Sequence, residues 1–553
     1  MEVLFQSNKK AASQRKLRGG YYTPQKLADF LTQWALKKHP RRILEPSCGD
    51  GNFVVSVLRQ SPKRQENVQI TAVELDWEEI NKAQKRVDDE FNTFGIQCQW
   101  ICKDFFHAFE HLYDAEKFDL VIGNPPFIRF QNVNAQSREV AFKHLKNFGY
   151  NPTKLANAWA AFVQLSIELL RPGGDLVMVL PAELLQVNYA HELRNRITSQ
   201  FEKIHLLTFK KLVFPEIQQE VVLLLAEGKS EKSTLNSDIH IIELEDAKAL
   251  DSIDDFNIAI NHSSVKHSRE GMKWTSLFLS DSSFKALDEA ERSERLVSLG
   301  TFAQVDVGIV TGRNSFFVLE QNKVENLGAA EMVIPIVGKT NALKSILFKN
   351  SDFDIFKKNS PSFLLNLTGV EKSKFSKALQ EYIFMAEEEE IHIGYKCRIR
   401  KRWYDVPSIY TPDAFLYRQI HKYPLMVYNE AGATSTDTVH RVRIRNTVDR
   451  RNLCAVFFNS LTLAWSEVCG RSYGGGVLEL EPKEAEKLPI PLLRDIAIEP
   501  DKIDNLLRDG KHQEALDYSD NIVLKGILGF DNSLIKSIRS SWVELRDRRI
   551  GRK

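Results

Sequence analysis

The sequence predicts an α/β fold with a mostly parallel sheet for the first half of this 553-residue chain. Short apolar runs of the kind that form buried parallel strands recur there, separated by turn residues and by segments with a helical apolar pattern. One run, Phe118–Gly123, stops abruptly at an asparagine, two prolines and a phenylalanine. Because proline has no N–H, it cannot continue a strand ladder, so this motif is expected at the carboxyl end of a strand. Open α/β sheets bind their ligands at that end.

Seven strands are expected in the sheet. The first is a short strand at the start of the segment 41–53, and the others are at 68–76, 100–102, 118–123, 176–180, 206–209 and 221–225. Trp159–Leu170 has a helical apolar pattern, and Arg171–Gly174 holds the proline and glycines expected at the end of that helix. The polar segment 228–237 has no apolar periodicity and predicts a linker. We therefore expect the first domain to end near residue 240.

The motif at 124–127 offers groups that suit an exocyclic amine on a planar ring. Asn124 supplies an amide oxygen, Pro125 a carbonyl with no N–H competing beside it, and Phe127 a flat apolar face. Asparagine and proline are also common in ordinary turns, so a plain strand-to-loop turn is the alternative interpretation.

The segment 45–51, Glu-Pro-Ser-Cys-Gly-Asp-Gly, predicts a turn between a strand and a helix. Its small residues allow the backbone to approach a ligand closely. The carboxylates of Glu45 and Asp50 would repel a phosphate, and the Gly-x-Gly-x-x-Gly pattern of dinucleotide-binding loops is absent. A ligand that carries an ammonium and a sulfonium group therefore fits this turn better than a phosphate.

Two further strand ends carry residues suited to a nucleoside. The run 68–76 ends in acids, roughly where dinucleotide-binding folds place the carboxylate that holds ribose hydroxyls. After the third strand, Asp104 can accept a hydrogen bond from an adenine amino group and Phe105 can lie against the ring. The order of these pieces along alternating strands and helices is more informative than any one of them.

Residues 19–228 resemble the class I S-adenosylmethionine-dependent methyltransferases, specifically the gamma order of amino-methylating DNA methyltransferases, the TaqI-like and Eco57I-like N6-adenine enzymes of restriction-modification systems. The resemblance rests on Gly19–Pro24, the turn at 45–51 and the motif at 124–127. It implies a Rossmann-like domain in which S-adenosyl-L-methionine contacts Tyr22, Thr23, Glu45, Ser47, Cys48, Gly49, Asp50, Glu74, Leu75, Asp104, Phe105 and Asn124. It also implies a catalytic group of Asn124, Pro125, Pro126 and Phe127, with Phe127 and Phe214 stacked on the target base.

The implied reaction is methyl transfer to N6 of an adenine flipped out of duplex DNA. Three alternatives stay open. A cytosine-N4 methyltransferase uses the same chemistry on a similar amine. Protein glutamine N5-methyltransferases also use Asn-Pro-Pro with an aromatic, although they resemble much shorter chains. The third alternative is a non-catalytic DNA-binding protein on a degenerate methyltransferase scaffold.

The resemblance implies three regions. Residues 1–18 form a tag remnant and an amino-terminal arm, since Met1–Ser7 matches a protease-tag scar. Residues 19–240 form the catalytic domain. Residues 241–553 form a mixed α+β DNA target-recognition domain with a C-terminal helical segment.

Cations cluster in the second half, although the net charge is only +2. The segment 395–404 places five cations beside three aromatic residues, and 441–445 alternates arginine with apolar residues at strand period. Such rows can follow phosphates or reach guanine edges, whereas a solvated strand face is the alternative. The candidate DNA-contacting residues are Arg398, Arg400, Lys401, Arg402, Trp403, Arg441, Arg443, Arg445 and Arg471. Glycine-containing segments at 308–314 and 471–476 are candidates for close approach to a sugar-phosphate chain, or tight turns.

Composition argues against several other classes of protein. No apolar run approaches the roughly 20 residues of a membrane span. Six cysteines without a Cys-x-x-Cys pair, and histidines without metal-ligand spacing, predict no metal site and a reducing cytoplasm. We expect a monomer that binds double-stranded DNA. Because the motifs begin near residue 19, any cognate restriction endonuclease is expected to be a separate partner.

Overall fold

A computed structural model of the chain describes residues 22–61, 68–90, 96–154, 156–211, 220–231, 237–246, 250, 260, 263, 265–269, 271–473, 475–493 and 497–551. The chain divides into two compact units, Met1–Phe278 with Gly551–Lys553 and Leu279–Ile550. The sequence places the domain boundary near residue 240, but a strand of the first unit, Asp238–Leu244, crosses that position. The expected arm 1–18, Gly19–Tyr21 and Phe214 lie outside the described residues.

The strands of the first unit are β1 (Arg42–Glu45), β2 (Val68–Glu74), β3 (Ile96–Cys102), β4 (Phe118–Gly123), β5 (Leu170–Pro181), β6 (Phe201–Phe209), β7 (Val221–Lys229), β8 (Asp238–Leu244) and β9 (Val265–Lys266). They form one sheet in the order β3-β2-β1-β4-β5-β7-β6-β8-β9. Strands β1 to β5 pair in parallel, β7 runs antiparallel to β5 and β6, and β9 antiparallel to β8. The expectation of seven strands is wrong, because the sheet is mixed and has nine.

The two additional strands come from the region that the sequence assigns to the linker and the second domain. Strand β8 pairs in parallel with β6 and buries Ile239 and Ile242. It follows a polar segment, and its isoleucines at 239, 241 and 242 do not alternate regularly. The period-2 signal on which strand prediction relies is therefore weak here.

The described α-helices of the first unit are α1 (Gln25–Ala35), α2 (Asn52–Gln60), α3 (Trp77–Glu90), α4 (Phe105–Asp114), α5 (Ala135–Asn147), α6 (Ala158–Leu169), α7 (Glu183–Gln186) and α8 (His191–Gln200), with short 3-10 turns at Leu36–Lys38, Phe130–Asn132, Asn188–Ala190 and Trp274–Phe278. The predicted helix at Trp159–Leu170 is confirmed as α6, which is buried on nearly all sides. Leu170 already begins β5, so the strand replaces the loop expected at Arg171–Gly174.

The parallel register brings the carboxyl ends of β1, β2 and β4 to one edge of the sheet. Glu45 of β1 lies opposite Ala72 of β2, and Leu44 lies opposite Val121 of β4. Leu44 and Val121 are fully buried, and burial of each such side chain contributes roughly 1.5–3 kcal/mol. The segments that follow these three strands are therefore held together by the core beneath them.

The strands of the second unit are β10 (Leu296–Ser298), β11 (Ala303–Asp306), β12 (Val318–Leu319), β13 (Val333–Val337), β14 (Leu347–Phe348), β15 (Phe363–Leu365), β16 (Ala414–Tyr417), β17 (Gln419–Ile420), β18 (Met426–Asn429), β19 (Thr434–Ser435), β20 (Val439–Ile444), β21 (Arg471–Tyr473), β22 (Val477–Glu479) and β23 (Pro489–Pro491). The larger sheets have the orders β11-β20-β16-β18-β14 and β12-β15-β13-β19. Smaller sheets are formed by β17-β22-β21 and β10-β23.

The helices of the second unit are α9 (Asp281–Glu291), α10 (Asn314–Phe317), α11 (Gln321–Asn326), α12 (Asn350–Asn359), α13 (Lys377–Glu388), α14 (Tyr395–Arg398), α15 (Arg450–Phe457), α16 (Ser460–Cys469), α17 (Pro482–Ala485), α18 (Pro500–Arg508), α19 (His512–Asp520) and α20 (Asn532–Ile550), with a π-helical segment at Asn521–Ile527 and 3-10 turns at Leu299–Thr301, Ala330–Met332, Thr340–Ala342, Lys372–Lys374 and Ile391–Ile393. The predicted C-terminal helical segment is confirmed by α19, the π-helical segment and α20. Within the described parts of the chain, no helix has both the length and the apolar character needed to cross a membrane.

Candidate active site

The Asn124–Phe127 turn lies at the carboxyl end of β4, where the sequence predicts it. Pro125 is buried, and the other three residues of the turn are partly exposed. Beyond the turn, Ala158 N at the start of α6 donates to the Ile128 carbonyl at 2.7 Å. On the other side, Ser47 Oγ donates to the Asn124 backbone carbonyl at 3.0 Å. The turn is thus tied both to a buried helix and to the segment that follows β1.

The glycine-containing turn after β1 is held against β2. Cys48 N donates to the Val73 carbonyl at 2.9 Å. Gly51 has φ +84°, and a Cβ there would lie 2.8 Å from the Cβ of Ala83. The ring of Tyr22 lies 3.3 Å from the position that a Cβ on Gly49 would occupy. Glycine is required at 51 by both conformation and space.

Glu74 joins this turn to the end of β2. Its Oε2 accepts from Gly49 N at 3.0 Å, and its Oε1 accepts from Asp76 N at 2.9 Å. The next residue, Leu75, is 66% exposed. Gly49, Glu74 and Leu75, which the sequence assigns to one ligand site, are therefore adjacent at this edge. The Glu74 carboxylate lies beside the apolar surface of Leu75.

Acidic groups dominate the electrostatics of this edge. Burial raises the pKa of the Glu45 carboxyl well above its ordinary value, and the nearby charges of Asp50 and Glu74 raise it further. Burial also raises the pKa of the Asp50 and Glu74 carboxyls. Among the described residues, Glu45 Oε2 has no hydrogen-bond partner. A positively charged ligand would favour the ionised form of this buried carboxyl, whereas an anion would disfavour it.

Cys48 lies buried in the same turn. Burial raises the pKa of its thiol well above the ordinary value, and Glu45 raises it further. Because the thiolate is the reactive form of cysteine, this thiol is a packing group and not a nucleophile.

Asn52 and Arg86 also position this site, although the sequence did not predict a role for either residue. Asn52 Nδ2 donates to the Thr23 carbonyl at 3.0 Å, which ties the amino-terminal motif to the start of α2. Arg86 Nη1 donates to Asn52 Oδ1 at 2.9 Å and lies 3.1 Å from Asp50 Oδ2. The position of Asn52 directly after the glycine turn could have indicated its role. No motif near Arg86 in the sequence indicates a role for that residue.

Asp104 and Phe105 follow β3, next to the end of β2. Lys103 N donates to the Glu74 carbonyl at 2.9 Å. Asp104 Oδ1 accepts from Phe106 N at 2.8 Å and so caps α4. Phe105 is only 3% exposed and stacks on the ring of Phe162, with centroids 4.8 Å apart. In this structure Phe105 is a core residue beside the edge.

In the segment 395–404 of the second unit, most of the candidate DNA-contacting residues make contacts within the protein. Arg402 forms a bidentate pair with Asp405 at 2.8 and 2.9 Å. Arg400 donates to backbone carbonyls, and Trp403 packs in an aromatic cluster. Arg398 and Lys401 are exposed. Only these last two candidates of the segment face solvent fully.

The predicted arginine row at 441–445 is partly wrong. Val442 and Ile444 are buried, as predicted, and Arg443 and Arg445 are exposed. Arg441, however, is only 4% exposed. Its guanidinium group is taken up by backbone carbonyls and by an aromatic ring, so it does not belong to a solvent-facing row.

Arg471 is partly buried and pairs with a carboxylate. Its Nε lies 3.0 Å from Glu484 Oε1, and the Glu484 side chain is almost fully buried. Gly474, in the glycine-containing segment that follows, lies outside the described residues.

Two family models match the chain. The model described as Eco57I restriction-modification methylase matches residues 26–214. The model described as the C-terminal domain of the Type II methyltransferase M.Eco57I matches residues 271–524. Together the matches take in most of both compact units.

Similar proteins cover most of the chain. The Type II methyltransferase M.AccI from Acinetobacter calcoaceticus is 24% identical over 493 residues, which are 86% of this chain and 85% of M.AccI. M.XamI from Xanthomonas campestris pv. amaranthicola is 21% identical over 489 residues, 86% of each chain.

Two solved structures share the fold. The cryo-electron microscopy structure of the DrdV–DNA complex has a TM-score of 0.51 at 13% identity and covers 81% of this chain. The DNA-bound, ATP-dependent Type ISP restriction-modification enzyme LlaBIII has a TM-score of 0.50 at 13% identity and covers 88% of this chain. The matched regions are 54% and 39% of those two larger chains.

Proposed function

Because the chain belongs to the Eco57I-like family of restriction-modification methyltransferases, we propose that it transfers a methyl group from S-adenosyl-L-methionine to N6 of a flipped-out adenine in double-stranded DNA. The observation that carries this proposal is the hydrogen bond between Ser47 and the Asn124 carbonyl. It joins the acidic glycine turn to the Asn-Pro-Pro-Phe turn at one edge of the sheet.

The acidic edge fits the charges of the proposed cofactor. Burial disfavours the ionised forms of the Glu45, Asp50 and Glu74 carboxyls; it is complete for Glu45 and partial for the other two. Ammonium and sulfonium groups would stabilise these ionised forms. When bound, S-adenosyl-L-methionine supplies a methyl group activated by the positive charge on sulfur.

The nucleoside part of the cofactor has matching partners at the ends of β2 and β3. The Glu74 carboxylate accepts the backbone N–H groups of Gly49 and Asp76, and lone-pair capacity remains on it for a ribose hydroxyl. Exposed Leu75 offers an apolar surface for the adenine ring. Asp104 caps α4 with Oδ1, which leaves Oδ2 to accept from the adenine amino group.

Asn124 and Pro125 would prepare the target amine. The N6 lone pair of adenine is delocalised into the ring, so the amine is a weak nucleophile until its hydrogens are held and the nitrogen becomes pyramidal. Asn124 Oδ1 and the Pro125 carbonyl would accept one hydrogen each, and these fixed dipoles favour the positive charge that develops on nitrogen. Transfer would form a bond between N6 and the methyl carbon while the bond from that carbon to sulfur breaks, and the extra proton on N6 would then pass to water.

The aromatic residues of the site would offset the cost of extruding the base. Base flipping costs a few kcal/mol, and stacking on an aromatic side chain returns about 1–3 kcal/mol per base. Phe127 belongs to the same turn as Asn124 and is partly exposed, with part of its ring packed against the core, so it suits this role. Phe214 is proposed as a second stacking partner.

Product analysis tests the proposal directly. The full chain is incubated with duplex DNA and S-adenosyl-L-methionine that carries a labelled methyl group, and the DNA is digested to nucleosides for mass spectrometry. We expect labelled N6-methyladenosine as the deoxynucleoside. Labelled N4-methylcytosine would overturn the choice of base, and label found in protein glutamine but not in DNA would overturn the choice of substrate.

A further inference from the structure

The 307–313 loop follows β11 in the second unit and contains two glycines that its path requires. A Cβ on Gly308 would lie 1.9 Å from the carbonyl oxygen of Thr436, a distance that real side chains never show. Gly312 has φ +89°, and a Cβ there would lie 3.0 Å from the Cβ of Lys396. The loop therefore lies against two other segments at distances that only glycine allows.

Two arginines fix the backbone of the 307–313 loop. Arg441 Nη2 donates to the Val307 carbonyl at 3.0 Å. Arg400 Nη2 donates to the carbonyls of Val310 at 3.1 Å and Thr311 at 2.7 Å. Both guanidinium groups, which the sequence suggests for DNA contact, are thus used to hold this loop. They are positioning residues, and their hydrogen bonds restrict the backbone of this loop.

The 307–313 loop exposes three of its side chains to solvent. Val307 and Val310 are each 38% exposed. Arg313 is exposed, and its guanidinium group forms no hydrogen bond or ion pair with any residue in the described part of the chain. Exposed valines on a fixed backbone add nothing to the core, so their placement needs another explanation.

The segment that packs against Gly312 through Lys396 carries exposed cations. Lys396, Arg398 and Lys401 are exposed there. Between them, Ile399 is 61% exposed and next to them Tyr395 is 64% exposed. The surface therefore combines fixed apolar groups with cations, a combination that matches the base edges and phosphates of DNA.

We propose that the 307–313 loop reads the base sequence of the recognised DNA site, with Arg313 bonded to a base edge, Val307 and Val310 against base methyl groups, and Lys396, Arg398 and Lys401 on the flanking phosphates. This assignment rests on the proposed function and names the part of the second unit that selects the substrate. Bidentate arginine contacts to guanine are the commonest specific contact in the major groove, and apolar side chains contact the thymine methyl group. Such reading requires donors whose backbone does not move, which the bonds from Arg400 and Arg441 supply.

The test compares base contacts with phosphate contacts. The recognised sequence is first determined by sequencing DNA, with modification detection, from cells that express the wild-type chain. Cognate and unrelated duplexes are then titrated with Arg313→Ala. We expect cognate binding to weaken about 5- to 150-fold, with unrelated binding changed far less and the methylated sequence relaxed at one position.

Arg398→Ala and Lys401→Ala are expected to behave differently from Arg313→Ala. Each should weaken cognate and unrelated binding alike and reduce the salt dependence of binding by about one counterion. Arg292→Ala is the matched control, since Arg292 is an exposed arginine of the same unit that pairs with Asp288 in α9. It should leave binding and methylated sequence unchanged.

The outcomes separate this inference from the proposed function. If the wild-type chain methylates no DNA, the proposed function fails. If it does, but Arg313→Ala and Val310→Ala keep the wild-type affinity and the wild-type methylated sequence, only the role of the 307–313 loop is overturned, and a protein partner becomes the better occupant of this surface. A relaxed sequence in Arg313→Ala together with an unaffected Arg292→Ala supports it.

Discussion

The edge of the first sheet and the 307–313 loop of the second unit are both glycine-containing turns held by hydrogen bonds, but their electrostatics are opposite. At the sheet edge, the buried Glu45 lies with the partly buried Asp50 and Glu74, and the pKa values of all three carboxyls are raised. Around the loop, cations such as Arg313 and Arg398 are exposed. One region is suited to a cationic cofactor and the other to an anionic polymer. If the proposed function holds, the first unit would carry out the chemistry and the second would select the DNA sequence.

The largest expected effect is that of Asn124→Ala. Removal of one fixed dipole that stabilises developing charge typically lowers the rate about 100- to 1000-fold. The rate of methyl transfer should therefore fall by about 100-fold or more. Cofactor affinity should change little, because the acidic groups that carry it remain. Single-turnover transfer and calorimetric binding of S-adenosyl-L-methionine measure the two effects.

Asn326→Ala is the matched control for this substitution, since Asn326 is an exposed residue at the end of α11. It should leave both measurements at the wild-type value. Wild-type turnover by Asn124→Ala would refute the role assigned to the amide.

A pair of glycine substitutions should separate the two regions. Gly51→Ala introduces a Cβ 2.8 Å from that of Ala83 at a positive φ, a strain of about 1–3 kcal/mol. The turn relieves this strain by moving, and the cost of returning it to its present position should weaken cofactor binding by up to roughly 5- to 150-fold. Binding of cognate duplex should be spared. Gly308→Ala should do the opposite, because it displaces the 307–313 loop from Thr436.

Calorimetry with cofactor and fluorescence titration with duplex give the two affinities for each variant. Gly338→Ala is the control, because a Cβ there has open space around it. If Gly51→Ala and Gly308→Ala weaken both ligands equally, the division between the two units is not functional.

Cofactor binding should depend on pH through Glu45. Its raised pKa keeps this carboxyl protonated in the free protein above its ordinary titration range, whereas a bound cation favours the ionised form. Binding should therefore release protons, and affinity should rise with pH, by at most about tenfold per unit for one proton. Calorimetry in buffers of different ionisation enthalpy counts the protons.

Glu45→Gln should reduce the proton release and flatten this pH dependence. Asp50 and Glu74 also have raised pKa values, so a smaller dependence should remain. Unchanged proton release in Glu45→Gln would show that the other two carboxyls carry the effect.

The site in the first unit was predictable because parallel strand ends converge. Apolar runs located β1, β2 and β4, and the residues after each strand necessarily meet at one edge. Asn124, Glu74 and Gly49 could therefore be grouped from sequence. Arg86 could not, because its contact with Asn52 depends on how α3 packs, which no local pattern reveals.

The second unit was less predictable for a related reason. Charge patterns show where cations are in the sequence but not which carbonyl or carboxylate each one meets. Arg400 and Arg441 look like surface cations in sequence, yet they bond backbone carbonyls more than 80 residues away in the chain, at separations of 89 and 134 positions for Thr311 and Val307. Such long-range partners are set by the irregular sheets of this unit.

The smallest expected effect is that of Arg443→Gln, which tests the arginine row that the sequence predicts. Arg443 is about half exposed and pairs with Asp306 at 2.7 Å. Loss of an exposed ion pair of this kind costs about 0–1 kcal/mol of stability. Even if all of this cost reached the DNA surface, cognate affinity would fall by no more than about fivefold, and the methylated sequence should stay the same. Arg441→Gln is the positive control, since it frees the Val307 carbonyl and should loosen the 307–313 loop. Hydrogen exchange of a peptide covering 303–313 should therefore accelerate in Arg441→Gln and stay near wild type in Arg443→Gln. A relaxed methylated sequence in Arg443→Gln would instead place this arginine among the residues that read bases.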